Sequence, residues 1–276
     1  NYIWEFCIDE SLKRIYPPSE IPNYTDQSMS YDTDDGEQIN ELSARELLVQ
    51  RLQQPSAVSA HLVVAPGGMG KTSLCLAVAA KLYHRKDLKC SVVLIQAEFI
   101  KRYVAENGVL GARIDSMFQL YELYARYHHS DQVFDRNTFE LAFLSGSLVV
   151  IIDGLDEFVS LFPDTFNLDV FLASLAEFHG ELGSSAVLLT TRNSQLVEFA
   201  RLDELAIERH NLLGFDRATC EAYLRRRFRK YSEGKAIAAK VQSQIDKVQL
   251  HDPDGRVVPF FADIAATVVE DGIRDN

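Results

Sequence analysis

The sequence has little of what marks secreted, membrane or nucleic-acid-coating proteins. Its four cysteines, Cys7, Cys75, Cys90 and Cys220, are spread through 276 residues with no CxxC pair, which excludes a zinc ribbon or a dense disulfide framework. A reduced, cytoplasmic setting is therefore expected. No apolar run approaches the roughly 18 residues of a membrane span, and the N-terminus has no basic-then-apolar signal pattern, so no membrane partner is expected. Basic residues are in deficit, with 28 Lys and Arg against 40 Asp and Glu, a net charge of −12. That removes the global positive field of a non-specific nucleic-acid coat and leaves only a local basic patch open. HExxH and GxSxG are both missing, which removes the zinc protease and serine hydrolase patterns.

What is present is an ordinary globular composition, 47% hydrophobic and 25% charged, long enough for one large α/β domain or two of about 150 residues. The chain begins at Asn1 rather than Met, so it is expected to be a piece of a longer polypeptide. Residues 2–16 are loosely helical in pattern. From Glu20 to Glu41 seven acids stand without a single Lys or Arg, and this stretch is expected to be a solvated, poorly ordered linker. Asp32, Asp34 and Gly36 do not keep the frame of a calcium loop, which needs its Gly five residues after the first Asp and a Glu at the twelfth position.

From residue 45 onward, short apolar runs alternate with helical patterns, which predicts a parallel α/β sheet covered on both faces. Strands are expected at His61–Ala65, Ser91–Gln96, Leu148–Ile152, Ala186–Thr190 and Leu205–Leu213. Helices are expected near Thr72–Tyr83, Ile114–Tyr127, Thr138–Leu144, Leu168–Phe178 and Gln195–Arg201. Beyond Gly214 the pattern is all helical: Asp216 as N-cap of a helix to about Tyr231, then Lys235–Leu250 and Val258–Val269.

Three strand ends carry the chemistry. The first is His61-Leu-Val-Val-Ala-Pro66-Gly67-Gly68-Met69-Gly70-Lys71-Thr72-Ser73, an apolar strand, a glycine-rich loop and a helix start, the context a Walker A motif requires. The glycines let the backbone curl and aim its N–H groups at one point at a helix N-terminus, a ready anion site. Lys71 would reach the β- and γ-phosphates and the Thr72 hydroxyl would ligand Mg²⁺. Ala65 stands where the motif has its first glycine.

The second strand end is Leu148-Val-Val-Ile-Ile-Asp153-Gly154-Leu-Asp156-Glu157, whose buried strand would deliver Asp153 beside the first loop. Asp153 would hold the Mg²⁺ shell, since Mg²⁺ keeps several waters and takes one or two carboxylates. Glu157 is the preferred base to polarise the attacking water, with Asp156 close behind. The third is Leu188-Leu-Thr190-Thr191-Arg192, placed 39 residues after Asp153, where the arginine could report a γ-phosphate. An Asn-Lys-x-Asp guanine reader is missing, which favours ATP over GTP.

Taken together, APGGMGKTSL, LVVIIDGLDE and LLTTRN resemble the NACHT group of STAND NTPases, relatives of the AAA+ ATPases. Gly154 directly after the carboxylate and the acid pair Asp156-Glu157 are similar to that group. Ser43-Ala-Arg45-Glu46 resembles the family's stretch ahead of the core that lines the nucleotide. Pro259 is similar to its lid proline near adenine. The resemblance implies a three-layer α/β/α P-loop NTPase fold over residues 43–213, with a parallel sheet and the arginine-bearing strand inserted between the two Walker strands. An N-terminal segment at 1–42 would precede it and an incomplete helical lid at 214–276 would follow. It implies a slow, Mg²⁺-dependent ATP/ADP switch that self-associates, is joined to effector and sensor domains outside this segment, and signals in immunity or antiviral defence. Two alternatives stand beside it: an AAA+-like ATPase acting on nucleic acid, with Arg225, Arg226, Arg227, Arg229 and Lys230 as a basic face, and a module that binds ADP or ATP without hydrolysis. His128, His129 and Asp131 are expected to be a solvated helix end.

Overall fold

The computed structural model describes residues 24–32, 38–41, 43–54, 58–84, 91–107, 113–127, 134–177, 186–192, 204–252 and 254–274. Seven strands form one sheet: β1 (Met29–Asp32), β2 (Gln38–Glu41), β3 (Ala60–Val64), β4 (Ser91–Gln96), β5 (Leu148–Asp153), β6 (Ala186–Thr191) and β7 (Ile207–Leu212). Their order is β2-β1-β7-β3-β6-β5-β4. The five strands from β7 to β4 run parallel, and β1 and β2 add an antiparallel edge. Strand β6 lies between β3 and β5, so the strand ending in Thr190 and Thr191 separates the two Walker strands as the resemblance implied.

The strands form because both of their faces have something to bury. β5 is buried at every position. Leu148, Val150 and Ile152 enter one apolar cluster with Phe139, Phe143, Phe158 and Phe171, while Val149 and Ile151 enter the other, with Leu74, Val78 and Leu82. Each such side chain removed from water contributes about 1.5–3 kcal/mol. One layer consists of α1 (Ala44–Arg51) and α2 (Lys71–His84). The opposite layer holds α3 (Ala97–Asn107), α4 (Met117–Tyr127), α5 (Arg136–Leu144), α6 (Leu155–Leu161) and α7 (Leu168–Glu177). The architecture is three-layer α/β/α.

The acidic stretch departs from expectation. Within it, Met29 and Tyr31 alternate onto the apolar cluster beside α1 and α2, and Met29–Tyr31 pairs with His210–Leu212. Thr25, Gln27, Ser28 and Ser30 are buried as well. A short strand whose apolar residues alternate can complete a sheet edge whatever the net charge of its flanks, because only one face must be apolar. Helices α1, α3 and α6 were also unforeseen. The expected helix at residues 195–201, the N-terminal helical pattern, the acids at 34–37 and the histidines at 128 and 129 lie outside the described residues.

After β7 the chain forms a helical bundle of α8 (Arg217–Arg227), α9 (Gly234–Val248) and α10 (Pro259–Arg274). Asp216 caps α8 by accepting from the Thr219 N–H. Phe215, Tyr223, Leu224, Phe228, Val241, Ile245 and Ala266 form a third apolar cluster there. The basic face expected on α8 is not continuous. Arg227 turns inward to Asp263 and to Glu270, the latter at 2.8 Å, and Lys230 also pairs with Glu270 at 3.2 Å. Among the described residues, no helix is long and apolar enough to cross a membrane.

Candidate nucleotide-binding site

The phosphate-binding loop runs from the end of β3 into Lys71, the first residue of α2. Pro66, Gly67 and Gly68 are exposed, Gly70 is half-buried, and Met69 is buried beneath them. Gly68 has φ +78°, and a Cβ there would lie 2.8 Å from the Phe260 Cβ. Both the left-handed backbone and the close approach therefore require glycine. Ala65, in place of the motif's first glycine, is buried in the apolar cluster, and its N–H donates to the Thr191 carbonyl at 3.2 Å. Its methyl thus fills core space rather than the loop.

The Lys71 ammonium is folded onto the loop, donating to the carbonyls of Ala65 and, at 3.0 Å, Pro66. Burial lowers its pKa, and the Arg192 charge adds to that, against the opposing pull of Asp156 and Asp153. Thr72 and Ser73 follow, exposed at the helix start. Asp153 is buried at the end of β5. Its Oδ1 accepts from the Thr190 hydroxyl at 2.7 Å, and the same hydroxyl accepts from the Gly154 N–H at 3.0 Å. Thr190, fully buried, therefore fixes both the carboxylate and the turn behind it. Gly154 has φ +92°, with the Ala97 Cβ 3.1 Å from where its own would stand, so the small residue after Asp153 is a backbone requirement.

That left-handed turn starts α6 and aims its first acids back at β6. Asp156 Oδ1 accepts from the Arg192 N–H at 3.0 Å and from the Thr191 hydroxyl at 3.3 Å. The Arg192 guanidinium pairs with Glu157. The geometry thus gathers Lys71, Asp153, Asp156, Glu157 and Arg192 at the carboxyl ends of β3, β5 and β6, where ligands bind in open α/β sheets.

Pro259 opens α10, where its missing N–H costs nothing. The next N–H, that of Phe260, donates to the Gly68 carbonyl at 3.1 Å, so the helical bundle touches the loop. Arg45 lies over the Tyr24 ring, pairs with Glu46 at 3.1 Å and stands 3.9 Å from Asp26. Gln27 went unpredicted. Its Nε2 donates to the carbonyls of Met69 (3.0 Å) and Leu213 (2.8 Å), joining the loop to the start of the bundle. Thr190 could have been read from its place at the end of an apolar strand. Gln27 had no comparable signal, because it lies in the acidic stretch.

Strand order, loop and strand-end acids together define the P-loop NTPase fold. No protein-family model and no curated protein matches the sequence. Among solved structures, the chain resembles a Walker-type ATPase of Pyrococcus abyssi at 17% identity and a TM-score of 0.49, covering 83% of this chain and 68% of that one. It also resembles domain III of the Thermotoga maritima replication initiation protein DnaA, at 13% identity and a TM-score of 0.43, covering 83% and 90%. A third similar structure is C. elegans PCH-2, at 12% identity and a TM-score of 0.40, covering 83% and 66%. Likeness this distant carries no weight for activity.

The donor set at the loop fits Mg²⁺. Thr72 offers a hydroxyl and Asp153 a carboxylate, hard oxygen ligands of the kind Mg²⁺ takes while keeping several waters.

Proposed function

We propose that the protein binds and hydrolyses ATP with Mg²⁺, and that the bound nucleotide sets the orientation of the helical bundle over the loop. The observation that carries this reading is the convergence of Lys71 and Arg192 with Asp153, Asp156 and Glu157 beside a glycine loop that also contacts α10. Lys71, the loop N–H groups and Thr72 would cradle the phosphates, and bound Mg²⁺ would neutralise charge on the β/γ oxygens. Arg192 is shared: it pairs with Glu157, and a γ-phosphate would compete for the same guanidinium. Transfer of Arg192 to phosphate frees Glu157 to orient water, which couples nucleotide occupancy to the base.

Because Phe260 rests on Gly68, movement of the loop is felt in α10, the structural element a switch needs. The STAND-type reading, with self-association, attached effector and sensor domains and a role in defence signalling, belongs to this proposal through the motif resemblance. The nucleic-acid motor is less favoured, since Arg227 and Lys230 are committed to Glu270. Strong stimulation of hydrolysis by DNA or RNA would reverse that order.

Lys71→Ala is expected to weaken ATP binding by about 100-fold or more, measured by titration calorimetry; unchanged affinity would refute the loop assignment. Glu157→Gln should keep binding and slow phosphate release. If the unaltered protein binds ATP and Mg²⁺ but releases no phosphate even when concentrated enough to self-associate, it is a binding module and not an enzyme.

A further inference from the structure

On β3 and β7, on the sheet face covered by α1 and α2, lies a second cluster of ligating side chains. His61, near the start of β3, and Glu208 on the adjacent β7 are register partners, and His210 lies two residues further along β7, so all three share one face of the sheet. His61 and His210 are 3% and 0% exposed, and Glu208 is the partly open member. His61 Nδ1 lies 3.2 Å from His210 Nε2 and 3.0 Å from Glu208 Oε2, while His210 Nε2 lies 3.5 Å from that same oxygen. Three potential lone-pair donors therefore face one another across a triangle with sides of 3.0–3.5 Å.

That triangle has the size of one face of a zinc tetrahedron: bonds of 2.0–2.2 Å to nitrogen and oxygen place ligand atoms about 3.3 Å apart. Without an ion, inward N–H groups of the rings hold the three atoms together by hydrogen bonds; with the inward nitrogens deprotonated, their lone pairs and the carboxylate oxygen converge on one point. The far side of the carboxylate is already held. Arg51 lies 3.6 Å from Glu208 Oε1 and over the Tyr31 ring, and Tyr31 packs edge-on against His210. This outer support turns Oε2 toward the imidazoles, as supporting groups around metal ligands do.

We propose that His61, His210 and Glu208 bind a zinc-type divalent transition ion, separate from the Mg²⁺ site at the loop. Two imidazoles and one carboxylate select a borderline-soft ion over Mg²⁺ or Ca²⁺, which take oxygen ligands. Of the three side chains Glu208 is the partly exposed one, so an ion and any water ligand would enter past it. The ion ties β3, which carries the phosphate loop, to β7, which leads into the helical bundle at Gly214.

The test uses the whole chain stripped of metal, then titrated with Zn²⁺ alone against a chromophoric chelator. One equivalent of Zn²⁺ is expected, with a rise in Tm of about 5 °C at 100 times Kd. Binding should weaken by more than about 100-fold in His61→Ala and His210→Ala and stay unchanged in Lys71→Ala. Co²⁺ bound to the unaltered protein should show the visible absorption of a four-coordinate site with nitrogen ligands, a readout that does not depend on whether the variants fold. No stoichiometric Zn²⁺ uptake, no such Co²⁺ spectrum, or undiminished uptake in the histidine variants would overturn the site and leave a hydrogen-bonded imidazole–carboxylate cluster.

Discussion

Among the arginine–glutamate pairs of the described residues, two share the same chemistry in opposite circumstance. Arg192 and Glu157, at the loop, are 57% and 25% exposed, whereas Arg227 and Glu270, in the helical bundle, are 15% and 8% exposed. The first joins a strand end to a short helix and has one partner on each side, with water available to both groups. The second joins α8 to α10, and its arginine also reaches Asp263, the Tyr223 hydroxyl at 3.2 Å and Thr267 at 3.0 Å. An exposed pair is worth little and can be exchanged for a ligand, whereas a buried one becomes a structural commitment, because removing one partner strands the other charge. Chemistry alone does not separate a switch from a fastener.

Arg227→Ala should produce the largest effect, a loss of about 3–5 kcal/mol of stability, because Glu270 stays buried without its main partner. Urea unfolding followed by fluorescence and circular dichroism would measure it. A loss under 1 kcal/mol would mean that the bundle pair is as dispensable as the exposed one. Arg192→Ala should reverse the pattern, with stability changed by less than about 1 kcal/mol and phosphate release slowed about 100-fold, the usual size of effect when one preorganised charge donor is lost. Weaker ATP affinity with turnover unchanged at saturating ATP would show instead that Arg192 contributes only ground-state binding.

The sequence disclosed these two pairs unequally, for a physical reason. Asp153 ends an apolar strand, Gly154 follows it and Lys71 closes the glycine loop after another, and a strand end is a fixed address: residues that follow a buried run emerge at one edge of the sheet. The five parallel strands were legible for the same reason, within one or two residues at their ends. Arg227 was read as part of an outer basic face because five cations fall within six residues, 225–230, of a helix expected to run to about Tyr231. Its inward turn depends on Glu270, 43 residues away, and nothing local announces that partner. Strand β1 and Gln27 were hidden in turn by an acidic background. Their burial is decided by the free edge of β7 and the underside of the loop, and local composition carries neither.

Acid should also tell the pairs apart. Burial pushes the Glu270 carboxyl up, but hydrogen bonds from Arg227 and Lys230, with their charges, outweigh it and hold it below the usual range. A carboxylate depressed in the folded state contributes stability that is fully present above its unfolded pKa, about 4.3. That contribution is lost as pH falls through the lower folded value. Glu270→Gln keeps the shape and loses the charge, so it should cost about 1.5–3 kcal/mol at neutral pH and unfold with a shallower dependence on pH below about 4.3. An unchanged acid limb in the variant would remove Glu270 as its source.

Salt gives the smallest effect and the most direct contrast. At about 0.15 M ionic strength the Debye length is near 8 Å, and it shrinks to about 3 Å at 1 M. Screening acts through water, so it reaches Arg192, more than half exposed, and is largely kept from Arg227. Raising NaCl from 0.1 to 1 M should therefore loosen the Arg192–Glu157 pair and leave the bundle pair intact. The coupling between Arg192→Ala and Glu157→Gln, taken from a double-mutant cycle of stability, should fall from under about 1 kcal/mol toward zero. The coupling between Arg227→Ala and Glu270→Gln should stay above it throughout. If both couplings decayed together, water would reach the bundle pair as freely as the loop pair, and burial would no longer separate the arginine proposed to move to phosphate from the one that holds two helices.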